Sequence, residues 1–316
     1  MIRAAMFLLS LLVIAAPTAS AAQTEIIVDT DLGDDLDDAL ALALVLASPE
    51  LTLDGITTSL GDTRLRARMA GRLLALSGRA DIPVAVGPAT PPGTLFTQSD
   101  WAAAGPDPVP PRPDAVAFVL DRLRAEPPGR VTLVALAPLT TVAAMIARDP
   151  VTFRRLRRVV MMGGSVRRGY GSRAGTNSAG PSIEYNVRQC PACLRALLSS
   201  GVPVELLPLD ATEIALDAPA RGRLFSSGAP SARWLSELYR AWARRNAWGV
   251  TPTLFDVVPV ARLLRRGVCR PVAMQLTVSD AGSTRPAAGP PNVSACLDVD
   301  RAAVLDLLQR RVAQLD

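Results

Sequence analysis

Regular alternation of short apolar runs with amphipathic runs predicts an α/β protein, a mainly parallel central sheet flanked by helices. Three observations carry the prediction. Strand-like runs fall at 25–30, 52–59, 83–86, 131–136, 158–162 and 203–207. Helical patterning falls between and after them, at 36–48, 63–78, 114–125, 139–148, 190–200, 230–245, 256–265 and 300–315. No repeat or low-complexity linker divides the chain, so residues 23–316 read as one domain.

Taken in order, the chain starts with Arg3, an apolar run from Met6 to Ala16, and the small residues Ala19-Ser20-Ala21. That is the pattern of a cleavable secretory signal over 1–22, and the run is too short for a membrane span. The expected product is exported, periplasmic or extracellular, without membrane contact after cleavage. The first strand then runs into Asp29-Thr30-Asp31-Leu32-Gly33-Asp34-Asp35-Leu36-Asp37-Asp38 and an Ala/Leu helix. Further on, Leu136-Ala137-Pro138-Leu139-Thr140-Thr141 follows a strand and opens a helix. Glu184-Tyr185-Asn186 follows a long loop, and Asp256 stands as a lone carboxylate ahead of an apolar helical run. Loops at 87–113, 163–182 and 247–253 are long for a compact domain, which marks them as walls or lids of a site.

With 49% hydrophobic and 20% charged residues, the chain has ample material for a core. Its net charge is +5, and every basic residue is Arg, because Lys and His are both absent. Arg pairs scattered over helix faces read as solvated surface rather than a nucleic-acid interface. Missing His removes the usual acid–base group of neutral pH. Cys190, Cys193, Cys269 and Cys296 suit an oxidising compartment. The Cys190-Pro191-Ala192-Cys193 spacing reads as a structural bridge or plain thiols, since no thioredoxin-like unit surrounds it.

Six aspartates in the ten positions from Asp29 to Asp38 repel one another unless a cation neutralises them. Hard oxygen ligands select Ca²⁺ or Mg²⁺. A helix cap also uses acidic residues, but it needs one or two. An EF-hand does not fit, because the twelfth position counted from Asp29 is Leu40, not Glu.

The order of these features resembles the inosine-uridine-preferring nucleoside hydrolase family from about Glu25 onward. The specific part is the signature from Asp29 to Leu42. Weaker blocks are Gly55-Ile56-Thr57-Thr58 with Gly61-Asp62, Gly78 to Val84, Met161-Met162-Gly163-Gly164, and Glu184-Tyr185-Asn186. The resemblance implies a nucleoside hydrolase-like fold, cleavage of the N-glycosidic bond of ribonucleosides, and one bound Ca²⁺. By similarity, Asp31 is the general base and a metal neighbour. Asp38, Asp256 and the carbonyl of Leu136 complete the ligands, and Asp29 gives support. Asp37, Asp62, Met162, Asn177, Glu184 and Asn186 are then the substrate contacts. The partner is a small nucleoside, and a homo-oligomer is compatible with the resemblance.

Four departures qualify the match. The signature is two residues longer than its common form, so counting from the helix makes Asp37 and Asp38 the functional pair, and counting from Gly33 makes it Asp35 and Leu36. The residue before the last metal aspartate, often His in the family, is Phe255. A ribose-binding Asn is replaced by Asp62. The Asn expected six residues before Glu184 is Ser178, with Asn177 adjacent. Without His, protonation of the departing base needs a Tyr, a carboxylic acid, a water chain or stacking, and Trp101, Tyr170, Tyr239, Trp242 and Trp248 are the aromatic candidates. Two other classes share some features. A dehalogenase-type phosphatase uses a strand-Asp-x-Asp nucleophile, but usually with a Lys that this chain lacks. An exported Ca²⁺-dependent nucleoside- or sugar-binding protein would keep the fold and lose turnover.

Overall fold

The structure is a computed structural model and describes residues 23–91, 93, 95–106, 108–171 and 180–315. The signal-like segment 1–22 and the pair Asn177 and Ser178 lie outside the described residues. Nine strands form one sheet: β1 (Thr24–Thr30), β2 (Leu51–Thr58), β3 (Val84–Val86), β4 (Thr132–Ala135), β5 (Arg158–Met162), β6 (Val204–Leu207), β7 (Val272–Val278), β8 (Thr284–Ala287) and β9 (Val293–Ala295). The order across the sheet is β3-β2-β1-β4-β5-β6-β9-β7-β8, parallel from β3 through β9 and antiparallel where β7 joins.

The predicted α/β class and all six predicted strands are present, with ends differing by at most a residue. Central strands are buried on both faces, as apolar runs in parallel sheets require. Side chains alternate between two packed layers. Ile26, Val28, Val134 and Val160 face one layer, whereas Ile27, Leu133, Ala135, Val159 and Met161 face the other. The helix Asp37–Leu46 is buried almost all round and contacts the helices Val257–Leu264 and Arg301–Val312. Its Ala/Leu composition fits that position, because small residues let neighbouring helices approach closely.

Strand order reverses beside β1. The chain lays β2 and β3 on one side of it, then crosses to place β4, β5 and β6 on the other. Open α/β sheets bind ligands at such a switch point, beyond the carboxyl ends of the strands. The ladder continues a step past β1 on each side, as Leu136 N–H donates to Asp29 O (2.8 Å) and Ser59 N–H to Thr30 O (3.0 Å). The loops after β1, β2 and β4 therefore start from a fixed base.

The C-terminal hairpin β7–β8 and the short β9 do not stand out in the sequence. β8 carries Pro286, β9 has three residues, and β7 is largely exposed, so none shows a buried-strand run. Disulfides join Cys269 to Cys296 across the base of this unit, and Cys190 to Cys193 between two helices. The second pairing agrees with a structural bridge rather than a pair of free thiols.

Candidate functional site

Asp29 lies at the floor of the crevice and is fully buried. Thr57 Oγ1 donates to one carboxylate oxygen (2.6 Å) and Ser59 Oγ to the other (2.9 Å), while Ser59 is hydrogen-bonded to Thr141 (2.6 Å). Burial pushes the Asp29 carboxyl up to about 7, against the lowering effect of those hydroxyls. Asp29 thus ties the ends of β1 and β2 to the helix Thr140–Arg148.

The aspartate loop is wrapped around one cation. Arg66, from the helix Thr63–Leu76, is 2% exposed, and its guanidinium donates to the carbonyls of Leu60 (2.7 Å), Asp31 and Leu32 (3.1 Å). It also pairs with Asp34 (2.9 Å). Phe96 lies against its face, 4.7 Å from ring centre to guanidinium carbon. Gly33 has φ +123°, and a Cβ there would fall 1.9 Å from the Phe96 ring, so this position needs glycine twice over. Thr97 and Gln98 clamp the same turn from the 87–113 loop by donating to the carbonyls of Asp34 (2.9 Å) and Asp35 (2.5 Å).

Around this turn the acids of the lengthened signature have different surroundings. Leu36 is a fully buried core residue whose N–H is capped by Asp35 (2.7 Å), and Asp34 belongs to Arg66. Asp37 and Asp38 open the helix with buried carboxylates. Carboxylate oxygens of Asp37, Asp38 and Asp256 all lie within 4.8 Å of one another. Thr30 Oγ1 donates to Asp38, and the Asp256 N–H meets Asp37 Oδ2 (3.3 Å). Asp31 is buried beside them and feels the charge of Asp38 most strongly.

Burial first, and then mutual repulsion, raises Asp31, Asp37 and Asp256 well above the carboxylate range. Burial likewise pushes Asp38 up to about 7 and Asp35 to about 6. Four buried carboxylates with a single buried guanidinium nearby form a donor set suited to a hard divalent cation. The Leu136 carbonyl ends β4 on the opposite wall and accepts from Asn186 Nδ2 (2.7 Å), leaving its second lone pair for another partner. The same amide reaches Met162 O (3.5 Å). Leu136, Met162 and Asn186 are therefore brought together with one another.

Glu184 and Asp62 have structural duties of their own. Glu184 is buried and caps the helix Tyr185–Gln189. Its oxygens accept from the N–H groups of Asn186 (2.8 Å), Val187 (3.0 Å) and Gly164 (2.9 Å). Burial raises its pKa, while those N–H groups oppose the rise. Asp62 is exposed and caps the helix Thr63–Leu76 through Leu65 N–H (3.0 Å).

The wall from Gly163 to Gly171 is held by residues the sequence reading missed. Buried Asp210 accepts from the N–H groups of Val166 (2.8 Å), Arg167 (2.8 Å) and Arg168 (3.3 Å). Thr284 of β8 accepts from Ser165 N–H (2.9 Å) and donates to Ser165 O (2.8 Å). Among the aromatic candidates, Trp101 is committed to packing, with Arg72 stacked on its ring (3.9 Å) and its N–H on Glu237 (3.0 Å). Trp242 is buried against Tyr239, and Tyr239 donates to Val250 O (3.0 Å). Trp248 is 84% exposed, while Tyr170 stands edge-on to Phe255 with centroids 6.2 Å apart.

Arg66 is the variant of choice for testing the loop. Replacement by Met keeps the stem and takes the guanidinium away from Asp34 and three buried carbonyls, so stability should fall by about 3–5 kcal/mol. Urea denaturation of the purified protein checks this, and a change below about 1 kcal/mol would show that the loop does not depend on Arg66.

Comparison with known proteins places this geometry. The sequence profile of the inosine-uridine preferring nucleoside hydrolase family matches residues 26–306. The chain is 31% identical over 317 residues to the pyrimidine-specific ribonucleoside hydrolase RihA of Citrobacter koseri, covering 91% of this chain and 97% of that protein. It is 32% identical over 318 residues to the protein of the same name from Enterobacter sp. strain 638, covering 92% and 97%. In fold it is similar to a plant nucleoside hydrolase, PpNRh1 (TM-score 0.79, 22% identity, 92% of this chain and 99% of that one). It is also similar to an inosine-guanosine nucleoside hydrolase (TM-score 0.75, 24% identity, 93% and 100%). The chain belongs to the inosine-uridine preferring nucleoside hydrolase family, enzymes that depend on a metal ion and hydrolyse the N-glycosidic bond of ribonucleosides.

Proposed function

We propose that this protein is an exported, Ca²⁺-dependent ribonucleoside hydrolase that releases free base and ribose, with pyrimidine ribonucleosides the first substrates to test. The observation that carries the reading is the convergence of buried Asp37, Asp38 and Asp256 at the switch point of the sheet, with Asp31 beside them. Asp31, Asp38, Asp256 and the Leu136 carbonyl are the proposed ligands, and Asp37 lies close enough to serve as either ligand or ribose contact. Ca²⁺ suits an irregular, oxygen-only set better than Mg²⁺, which demands near-octahedral geometry and keeps several waters. The pyrimidine preference rests on the names of the relatives matched over nine-tenths of the chain. Export is supported by the signal-like pattern of 1–22 and by both cysteine pairs being bonded.

When bound, the cation would neutralise the carboxylates, orient the ribose diol and lower the pKa of the attacking water. The chain's own groups do the rest. An Asp31 carboxylate oxygen takes the proton from the attacking water. Positive character that develops on the ribosyl ring is stabilised by the surrounding carboxylates, which burial makes more effective than they would be in water. Asn186 and Asp37 orient ribose hydroxyls, and Met162 supplies an apolar wall. Glu184 shapes this pocket by fixing Gly164 and Asn186, and Asp62, with Asn177 outside the described residues, stays among the substrate contacts that the resemblance implies.

Asp31→Asn keeps the volume and removes the base, so kcat for uridine should fall about 10²–10⁴-fold. Assay of released base measures this, and an unchanged rate would remove Asp31 from the chemistry. A second test follows from the raised carboxyls. Their folded pKa values, about 7 for Asp29 and Asp38, exceed the unfolded value near 3.8. The cation-free folded state then holds more protons than the unfolded state, and its stability drops as pH rises through that window. Its Tm should be lower at pH 8 than at pH 5, and Ca²⁺ should raise Tm more at pH 8. Equal Ca²⁺ shifts at the two pH values would argue against a site made of these carboxylates.

A further inference from the structure

Breaking a ribosyl C–N bond leaves an electron pair on the base nitrogen, and that nitrogen must gain a proton if the base is a poor leaving group. The chain has no His, and Phe255 stands next to Asp256. The nearby carboxylates have other duties: Glu184 and Asp210 each accept three backbone N–H groups, Glu213 accepts from Gly171 N–H (3.2 Å), and Asp37, Asp38 and Asp256 form the cation group. Tyr239 gives its proton to Val250 O.

Tyr170 is different. Its hydroxyl oxygen accepts from Tyr185 N–H (2.9 Å), and its own proton has no acceptor among the described residues. The ring leans edge-on against Phe255, while the hydroxyl meets the first residue of the helix that carries Asn186. Tyr170 therefore bridges the two segments that flank the buried carboxylates, and it is 39% exposed, open to a ligand. We propose that Tyr170 is the general acid that protonates the departing base. This rests on the hydrolase reading above and adds to it a leaving-group residue.

The step balances without any added reactant. The C1′–N bond breaks with its electron pair going to the base, whose nitrogen takes the phenolic proton. Water forms the new C1′–O bond and gives a proton to Asp31. The phenolate oxygen keeps its bond from Tyr185 N–H, which lowers the cost of donation, and it is reprotonated from solvent. Burial, with the neighbouring Glu184 charge, holds the phenol above its ordinary pKa, so it enters the reaction protonated.

The test compares leaving groups. Uridine needs a protonated base, whereas 4-nitrophenyl β-D-ribofuranoside has the same ribosyl half and a leaving group that departs as the anion. With the full chain and Ca²⁺, Tyr170→Phe should reduce kcat on uridine about 10²-fold or more, and that loss should exceed the loss on the nitrophenyl riboside at least about thirtyfold. Equal losses on both substrates, whether from misplacement of the loop or from poor folding, overturn the proposal, as does no loss on either. A wild-type protein inert on both ribosides overturns the hydrolase reading and the acid together, which separates that failure from the failure of Tyr170 alone.

Discussion

The structure depends on keeping negative charge out of water. Asp29, Asp31, Asp37, Asp38 and Asp256 are each less than a tenth exposed, and the buried cation among them is Arg66. A carboxylate removed from water without compensation costs several kcal/mol, so this concentration persists only where hydrogen bonds, proton uptake or a cation offset it. The three remedies are distributed. Asp29 takes hydroxyls from Thr57 and Ser59, Asp34 takes the guanidinium, and the group of Asp37, Asp38 and Asp256 makes no ion pair of its own among the described residues, Arg66 acting on Asp38 only through its field. That remaining imbalance is what supports the proposed cation site.

Topology explains why these groups can meet. The loop after β1 and the carbonyl after β4 belong to neighbouring strands that the chain reaches from opposite directions, which opens a crevice between them. Asp256 arrives at the N-terminus of the helix Val257–Leu264, which packs on the helix that Asp37 begins. Two helix starts therefore come together, one with Asp37 and Asp38 in its first turn and the other with Asp256 as its N-cap. Helix N-termini favour negative charge, so the carboxylates are partly offset by backbone dipoles even before an ion is considered.

The sheet and its ligand edge were legible because apolar runs of parallel strands are written continuously along the chain. The hairpin β7–β8 was not, since its faces are largely exposed and carry no period that separates a strand from a loop. Asp37, Asp38 and Asp256 could be read because several acids beside apolar runs conflict with burial. Arg66 could not. It lies between Arg64 and Arg68 in a helix rich in Arg, and only three-dimensional structure distinguishes the buried one. Asp210 and Thr284 were invisible for a related reason: each acts on a loop distant in sequence, and neither interrupts its own local pattern.

The two added residues in the signature connect these levels. Asp34, two residues before the buried Leu36, gives Arg66 a carboxylate partner beside its three carbonyls. With Asp34 present, the guanidinium is neutralised at one edge while its positive field still reaches Asp31 and Asp38. Phe96 covers its face and excludes water, which strengthens both effects. The lengthened segment thus builds a permanent ion pair directly behind the cation group. Its consequence is division of labour: Arg66 and Asp34 balance the loop for folding, and the charge of Asp37, Asp38 and Asp256 is left over for the proposed cation.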